Sequence, residues 1–243
     1  MNQILVTQKV YVTPELKRKK LIYKLELFLS VFFICLLSSY YIYAEYDRNK
    51  SEQVSKEILA QIKYQLDDTV KSTEDNVLVV ILNEEQEKEH EEEMMQKLKI
   101  DTATYVSTDG VEYTTEAILK IPSIDLEYVV LSDTSPDLLF VSLNKFFGPD
   151  PNEIGNYCIV GHYYESGKMF GNLHKLKNGD IAELTDLSGR TIQYEVYDQK
   201  VVEPEDTSCT SQEWTRDNKV RELTLITCTN HGTQRLVVKL REL

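Results

Sequence analysis

The side chains best suited to covalent chemistry stand where apolar runs give way to polar turns. Residues 223–229 read LTLITCT, so Cys228 ends an apolar run. Val160-Gly161-His162 puts an imidazole just past a second run, Tyr157–Val160, and Arg235 stands at the start of the last one, QRLVV. Cys228 and Arg235 are seven residues apart across a turn containing Gly232, a spacing that lets them face each other on adjacent antiparallel strands. A thiol, an imidazole and a guanidinium converging at one mouth would supply a nucleophile, a proton shuttle and a stabiliser of negative charge, the minimal set for acyl transfer. Pattern alone leaves plainer readings open: a small buried thiol, a hydrogen-bonded histidine and a surface arginine.

Positioning such a set calls for rigid strands. Ala117–Ile121 and Tyr128–Leu131 are short apolar stretches with Pro122 between them. Ser135–Leu143 reads as a helix, with Ser135 as N-cap and Pro136 in the first turn. Tyr157–Val160 is strand-like. Asn178-Gly179 turns into a strand at Ile181–Leu184, and Ser188-Gly189 turns into Thr191–Tyr197. Glu203–Asn218 reads as a long polar loop with the one tryptophan, before final strands at Leu223–Thr227 and Gln234–Leu240. Seven or eight short strands from about residue 112 onward predict a closed barrel or sandwich.

The chain carries a formal charge of −13, which argues against nucleic acid as a partner, because a phosphate backbone needs a basic footprint. The charge is unevenly spread: residues 1–44 are net basic and the remainder strongly acidic. Leu27–Ala44 is free of charge (LFLSVFFICLLSSYYIYA), long enough as a helix to nearly span a bilayer core, and ends among tyrosines. Lys17, Arg18, Lys19, Lys20 and Lys24 precede it, while Glu45 and Asp47 follow. These features predict a basic cytoplasmic tail (1–24), a membrane anchor (25–44), an acidic extracellular stalk (45–111) and a catalytic domain (112–243). A cleaved signal peptide is the competing reading, but no small-x-small site follows the run. Within the stalk, Val54, Ile58, Leu59, Ile62 and Leu66 fall at helical spacing, and residues 84–93, EEQEKEHEEE, read as a solvated run with His90 as a bystander.

The region from about residue 113 resembles the sortases, cysteine transpeptidases of Gram-positive bacteria. The resemblance rests on segments in the family's order: Ala117–Pro122 leading through Ile124 to Tyr128-Val129-Val130; Gly161-His162 followed by Phe170-Gly171-Asn172-Leu173; Leu176 and Gly179-Asp180-Ile181; and Leu225–Thr229 with Gly232 and Arg235. It implies an eight-stranded β-barrel with short helices, mainly β, behind an N-terminal transmembrane helix and a partly helical stalk. It also implies catalytic roles for Cys228, His162 and Arg235, with an LPxTG-like sorting signal as substrate. Partners would be surface proteins bearing that C-terminal signal and an amine of peptidoglycan or its precursor, with no cofactor and no metal. Class D is the nearest subclass and class B the runner-up; no second apolar segment follows the last strand, as pilin-polymerising members commonly carry.

Other residues were weighed against this set. His231, three after Cys228, is a rival base, but the Gly-His match favours His162. His174 reads as a surface residue and Cys158 as core. Cys209 lies in the long loop, free or paired. Cys209, Cys228, His231 and His162 lack zinc-ligand spacing. Glu203, Glu205 and Asp206 form a calcium-like cluster whose plain reading is a solvated turn, and Trp214 either borders a groove or caps the core. The alternative functions are a catalytically inactive sortase-like binding or scaffold module at the cell surface, and an ordinary cysteine hydrolase with no amine-acceptor product.

Overall fold

A computed structural model describes residues 13–75, 103–107 and 110–243, with side chains omitted for 68–75. The acidic run 84–93 with His90, and the first twelve residues, lie outside the described residues. The chain divides into two compact units, 1–49 and 50–243. In the first, the N-terminal part of helix α1 (Pro14–Asp75) carries the charge-free run, with Phe28, Phe32, Phe33 and Tyr40 among its exposed side chains. This helix is long and apolar enough to cross a membrane.

In the second unit eight strands close a barrel: β2 (Glu112–Ile121), β3 (Leu126–Leu131), β4 (Leu143–Phe147), β5 (Gly155–Val160), β6 (Ile181–Asp186), β7 (Thr191–Val202), β8 (Arg221–Thr229) and β9 (Gln234–Glu242). Around the ring their order is β2, β3, β4, β5, β8, β9, β7, β6, and β6 pairs back onto β2. β1 (Ala103–Val106) pairs antiparallel with the first half of β2, outside the ring. Two pairings are parallel, β3 with β4 and β5 with β8. The interior is apolar, built from Ala117, Leu119, Leu143, Tyr157, Ile159, Phe170, Leu184, Leu223, Leu225 and Val238 among others.

Helix α2 (Pro136–Val141) makes the crossover from β3 to β4. It starts as its sequence predicts, with Leu138 N donating to the Ser135 hydroxyl at 3.1 Å and Pro136 in the first turn. It stops at Val141, two residues earlier than its apolar pattern suggests. Ser142 donates to the Val129 carbonyl at 2.7 Å, and Leu143 is drawn into parallel register with Val130. The sheet outbids the last half-turn of helix. Between Glu203 and Asn218 the long loop holds a 3₁₀ turn (Ser208–Thr210) and helix α3 (Glu213–Asp217).

A second apolar cluster lies on the outside of the barrel. Ile58 and Ile62 of α1 are buried against Ile118, Val129, Leu131, Val141 and Leu187, with Val54, Leu59 and Leu66 packed at the margin. The five stalk positions at helical spacing therefore form one docked face. Ser55 donates to the Ser142 hydroxyl at 3.1 Å, Tyr105 to Glu57 at 3.1 Å, and Lys63 pairs with Glu127 at 2.5 Å.

Candidate active site

Strand β8 alternates its faces. Leu223 and Leu225 point into the main core, whereas Ile226 packs in a small outer cluster with Val237, Cys209 and Val202. Cys228, two residues beyond Ile226, shares that outer face. The antiparallel register pairs Cys228 with Arg235 directly, as it pairs Ile226 with Val237. Arg235 also lies opposite Val202 of β7, so its strand is held on both sides. Its Nη1 donates to the carbonyls of Gly232 (2.9 Å) and Gln234 (3.1 Å). A guanidinium has five N–H donors, so this anchoring leaves capacity for a substrate oxygen.

His162 comes from the neighbouring parallel strand. Val160, the last residue of β5, is in register with Ile226, so His162 leaves the strand two residues later, beside the C-terminal part of β8. Adjacent strands lie about 4.8 Å apart, and Gly161, next to His162, is bonded to Ile226 and Thr227, next to Cys228. The exit of β5 is tied down at each step. Gly161 N donates to the Ile226 carbonyl at 3.1 Å, the Thr227 hydroxyl donates to the Gly161 carbonyl at 2.8 Å, and Phe170 N donates to the His162 carbonyl at 3.1 Å. The imidazole is half-buried beside Phe140 and Tyr164, with ring centroids 5.0 Å and 5.7 Å away. Burial pushes its pKa below the usual histidine value, because the charged form loses hydration. Cys228 is a free, partly exposed thiol.

Two glycines explain how the histidine loop lies so close to the core. A Cβ on Gly161 would come within 2.5 Å of Leu143 and 2.8 Å of Phe170. A Cβ on Gly171 would meet the Tyr164 carbonyl oxygen at 2.0 Å, a backbone atom that cannot rotate away. Replacing Gly171 with alanine should therefore push the segment 162–164 outward. We expect a loss of about 2 kcal/mol or more in chemical denaturation, as for other overpacked sites, together with reduced turnover.

The remaining candidates lie elsewhere. His231 sits exposed in the β8–β9 turn with a left-handed backbone (φ 56°). His174 is exposed in the 3₁₀ turn Phe170–Lys175. Cys158 is fully buried, and burial pushes its thiol up to about 12. Cys209 is buried in the outer cluster, and all four cysteines are free. Glu203 accepts from Gln234 at 2.8 Å; the Ser208 side chain, and then its backbone N at 2.9 Å, bond Asp206 and lower its pKa. Trp214 is half-exposed over the Arg241 guanidinium, 4.5 Å away; Arg241 pairs with Glu222, at the opposite end of β8 from Cys228. Sequence reasoning missed Phe140 and Tyr164. An aromatic ring near the end of the short helix before β4, and another two residues past the histidine, were the available signals.

A family model described as Sortase domain matches residues 119–242. Sortase A of Listeria monocytogenes serovar 1/2a is 27% identical over 137 residues, which cover 55% of this chain and 59% of the relative. The match thus spans less than two thirds of that curated relative. Among solved structures, a Clostridium perfringens Sortase D5 transpeptidase is 24% identical with a TM-score of 0.53, covering 79% of this chain and 99% of its own, and it shares the fold. Sortase C-1 from Actinomyces oris is 30% identical with a TM-score of 0.46, over 52% of this chain and 73% of its own.

Proposed function

This chain belongs to the sortase family, and from that premise we propose that it is a membrane-anchored cysteine transpeptidase working at the outer face of the cell membrane. The observation that carries the reading is the pairing of Cys228 with Arg235 across β8 and β9, with His162 two residues past the end of β5, the strand parallel to β8. The charge-free helical segment Leu27–Ala44 anchors the chain, and the basic residues before it hold the N-terminus in the cytoplasm.

In this reading the Cys228 thiolate attacks the threonine carbonyl of an LPxTG-like sorting signal. The carbonyl becomes a tetrahedral oxyanion, and Arg235 stabilises it or orients the signal. As the Thr–Gly bond breaks, His162 gives a proton to the departing amine and a thioester remains on Cys228. An amine of peptidoglycan or its precursor then attacks the thioester, His162 takes its proton, and the new amide leaves as the thiolate returns. Water in place of the amine gives hydrolysis as a side reaction. The segment Leu225–Thr229 places the chain nearest to class D, with class B as the alternative.

The test is incubation of the full chain, in detergent micelles, with a panel of LPxTG-type peptides and hydroxylamine. Threonyl hydroxamate is the expected product. A folded chain that cleaves no peptide in the panel contradicts the reading, and cleavage with water as the sole acceptor would make the protein a hydrolase. The Arg235→Lys variant keeps the charge but loses the planar fork. We expect kcat/KM to fall about 10²-fold or more, consistent with loss of an oxyanion donor, with the melting temperature little changed.

A further inference from the structure

We propose that Phe140 is a positioning residue for proton transfer: its ring, carried on α2, stacks on His162 and holds the imidazole in one orientation beside Cys228. The proposal rests on reading His162 as the proton shuttle.

Phe140 is half-exposed, at 50%, although it is a large apolar side chain on a six-residue helix that could have turned it inward. Its ring lies 5.0 Å from the imidazole, tilted by 36°, in the range of an offset aromatic pair. Tyr164 supplies a second ring at 5.7 Å and 59°, and itself packs against the main core. A shuttle histidine is commonly oriented by a hydrogen bond to one ring nitrogen. Here Nε2 is buried without a hydrogen-bond partner among the described residues. At that atom the ring is fixed by neighbouring aromatic surfaces instead. The backbone of His162 is already tied down, so its side-chain torsions are the freedom that the two rings remove.

The perch of Phe140 is rigid. The next residue, Val141, is buried with Ile58 and Ile62, and Ser142 is bonded both to the Val129 carbonyl and to Ser55 of α1. Six residues after His162, Lys168 of the same loop is paired with Glu52 of α1. The helical segment 52–62 thus braces the end of α2, which carries Phe140, and the loop that follows His162. Phe140 also keeps water from one face of the ring, in line with the lowered affinity of His162 for a proton.

The test uses the full chain in detergent micelles, with Phe140→Ala and Phe140→Tyr compared with wild type. Turnover of the peptide panel is measured, and the His162 titration is followed by NMR of its imidazole. For Phe140→Ala we expect kcat to fall about tenfold or more with KM nearly unchanged, as a displaced catalytic group predicts. The His162 midpoint should rise toward the ordinary value of about 6.5 as the ring is hydrated. Phe140→Tyr, which keeps the ring, should restore both. Wild-type kcat together with a wild-type His162 midpoint in Phe140→Ala would overturn the proposal. So would a loss of activity that tracks a lowered melting temperature and is not recovered by tyrosine. A wild-type chain that cleaves no peptide, while its His162 midpoint still moves in Phe140→Ala, would fault the functional reading and leave the stacking itself supported.

Discussion

Cys228→Ala should abolish transpeptidation, lowering kcat/KM by at least about 10³-fold while leaving the fold intact. The size of the effect follows from the chemistry. Without the thiol no thioester forms, and neither His162 nor Arg235 can substitute as a nucleophile. The stability cost should be small because Cys228 is partly exposed at the end of β8, and its strand is held by full antiparallel register with β9. Cys158→Ala provides the contrast. That thiol is fully buried among strands β5 and β8, so its loss should lower stability through a small cavity and leave turnover per folded molecule near wild type. Product formation read by chromatography, alongside circular dichroism, checks both variants. Cleavage surviving in Cys228→Ala would remove the assigned nucleophile.

The second large effect is structural. A chain truncated to residues 112–243 keeps all eight barrel strands and the three candidate site residues, but loses the docked face of α1 and the outer strand β1. Ile58 and Ile62, both buried, would leave Ile118, Val129, Leu131 and Leu187 facing water. Burying one isoleucine side chain is worth about 1.5–3 kcal/mol, and a whole domain is stable by only about 5–15 kcal/mol. The truncated chain should therefore melt at least about 10 °C lower than one that begins near Lys50, and should bind an apolar dye. Activity should fall as well, because Ser55 is bonded to Ser142 at the end of α2 and Glu52 is paired with Lys168 in the loop after His162. Equal melting temperatures for the two chains would show that the helix adds nothing to the barrel. Ile58→Asp offers the same test in the full chain, since it would bury an unpaired carboxylate.

Much of this was legible in the sequence because the signals are local. The end of an apolar run fixes where a strand meets a loop, which is how Cys228, His162 and Arg235 stand out as candidates. Ser135-Pro136 marks a helix start through a side-chain cap and a preset backbone angle, and both features appear where expected. The seven-residue spacing of Cys228 and Arg235 carried their cross-strand pairing, since a tight turn leaves few registers.

What was not legible depends on contacts distant in sequence. Val54, Ile58, Leu59, Ile62 and Leu66 announced a helix with an apolar face, but not the surface that covers it. That surface comes from β2, β3 and α2, and only the closed barrel assembles it. β4 was missed because Leu143–Phe147 is short and mixed, and its pairing with β3 involves just two residue pairs. The rings of Phe140 and Tyr164 converge on His162 from separate elements, so no spacing in the chain could reveal the stack. Trp214 was read as groove or cap; instead it lies over Arg241, whose guanidinium also covers Tyr197 at 4.4 Å, an arrangement between strands and a loop that composition does not encode.

The most direct test of the account is to trap the covalent intermediate. The full chain, in detergent micelles, is mixed with a panel of LPxTG-type peptides in the absence of an amine and analysed by intact mass spectrometry with fragment mapping. The account predicts a mass increase equal to the peptide up to its threonine, attached at Cys228, discharged by hydroxylamine and absent from Cys228→Ala. An adduct that persists in Cys228→Ala, or that maps to another residue, would contradict it.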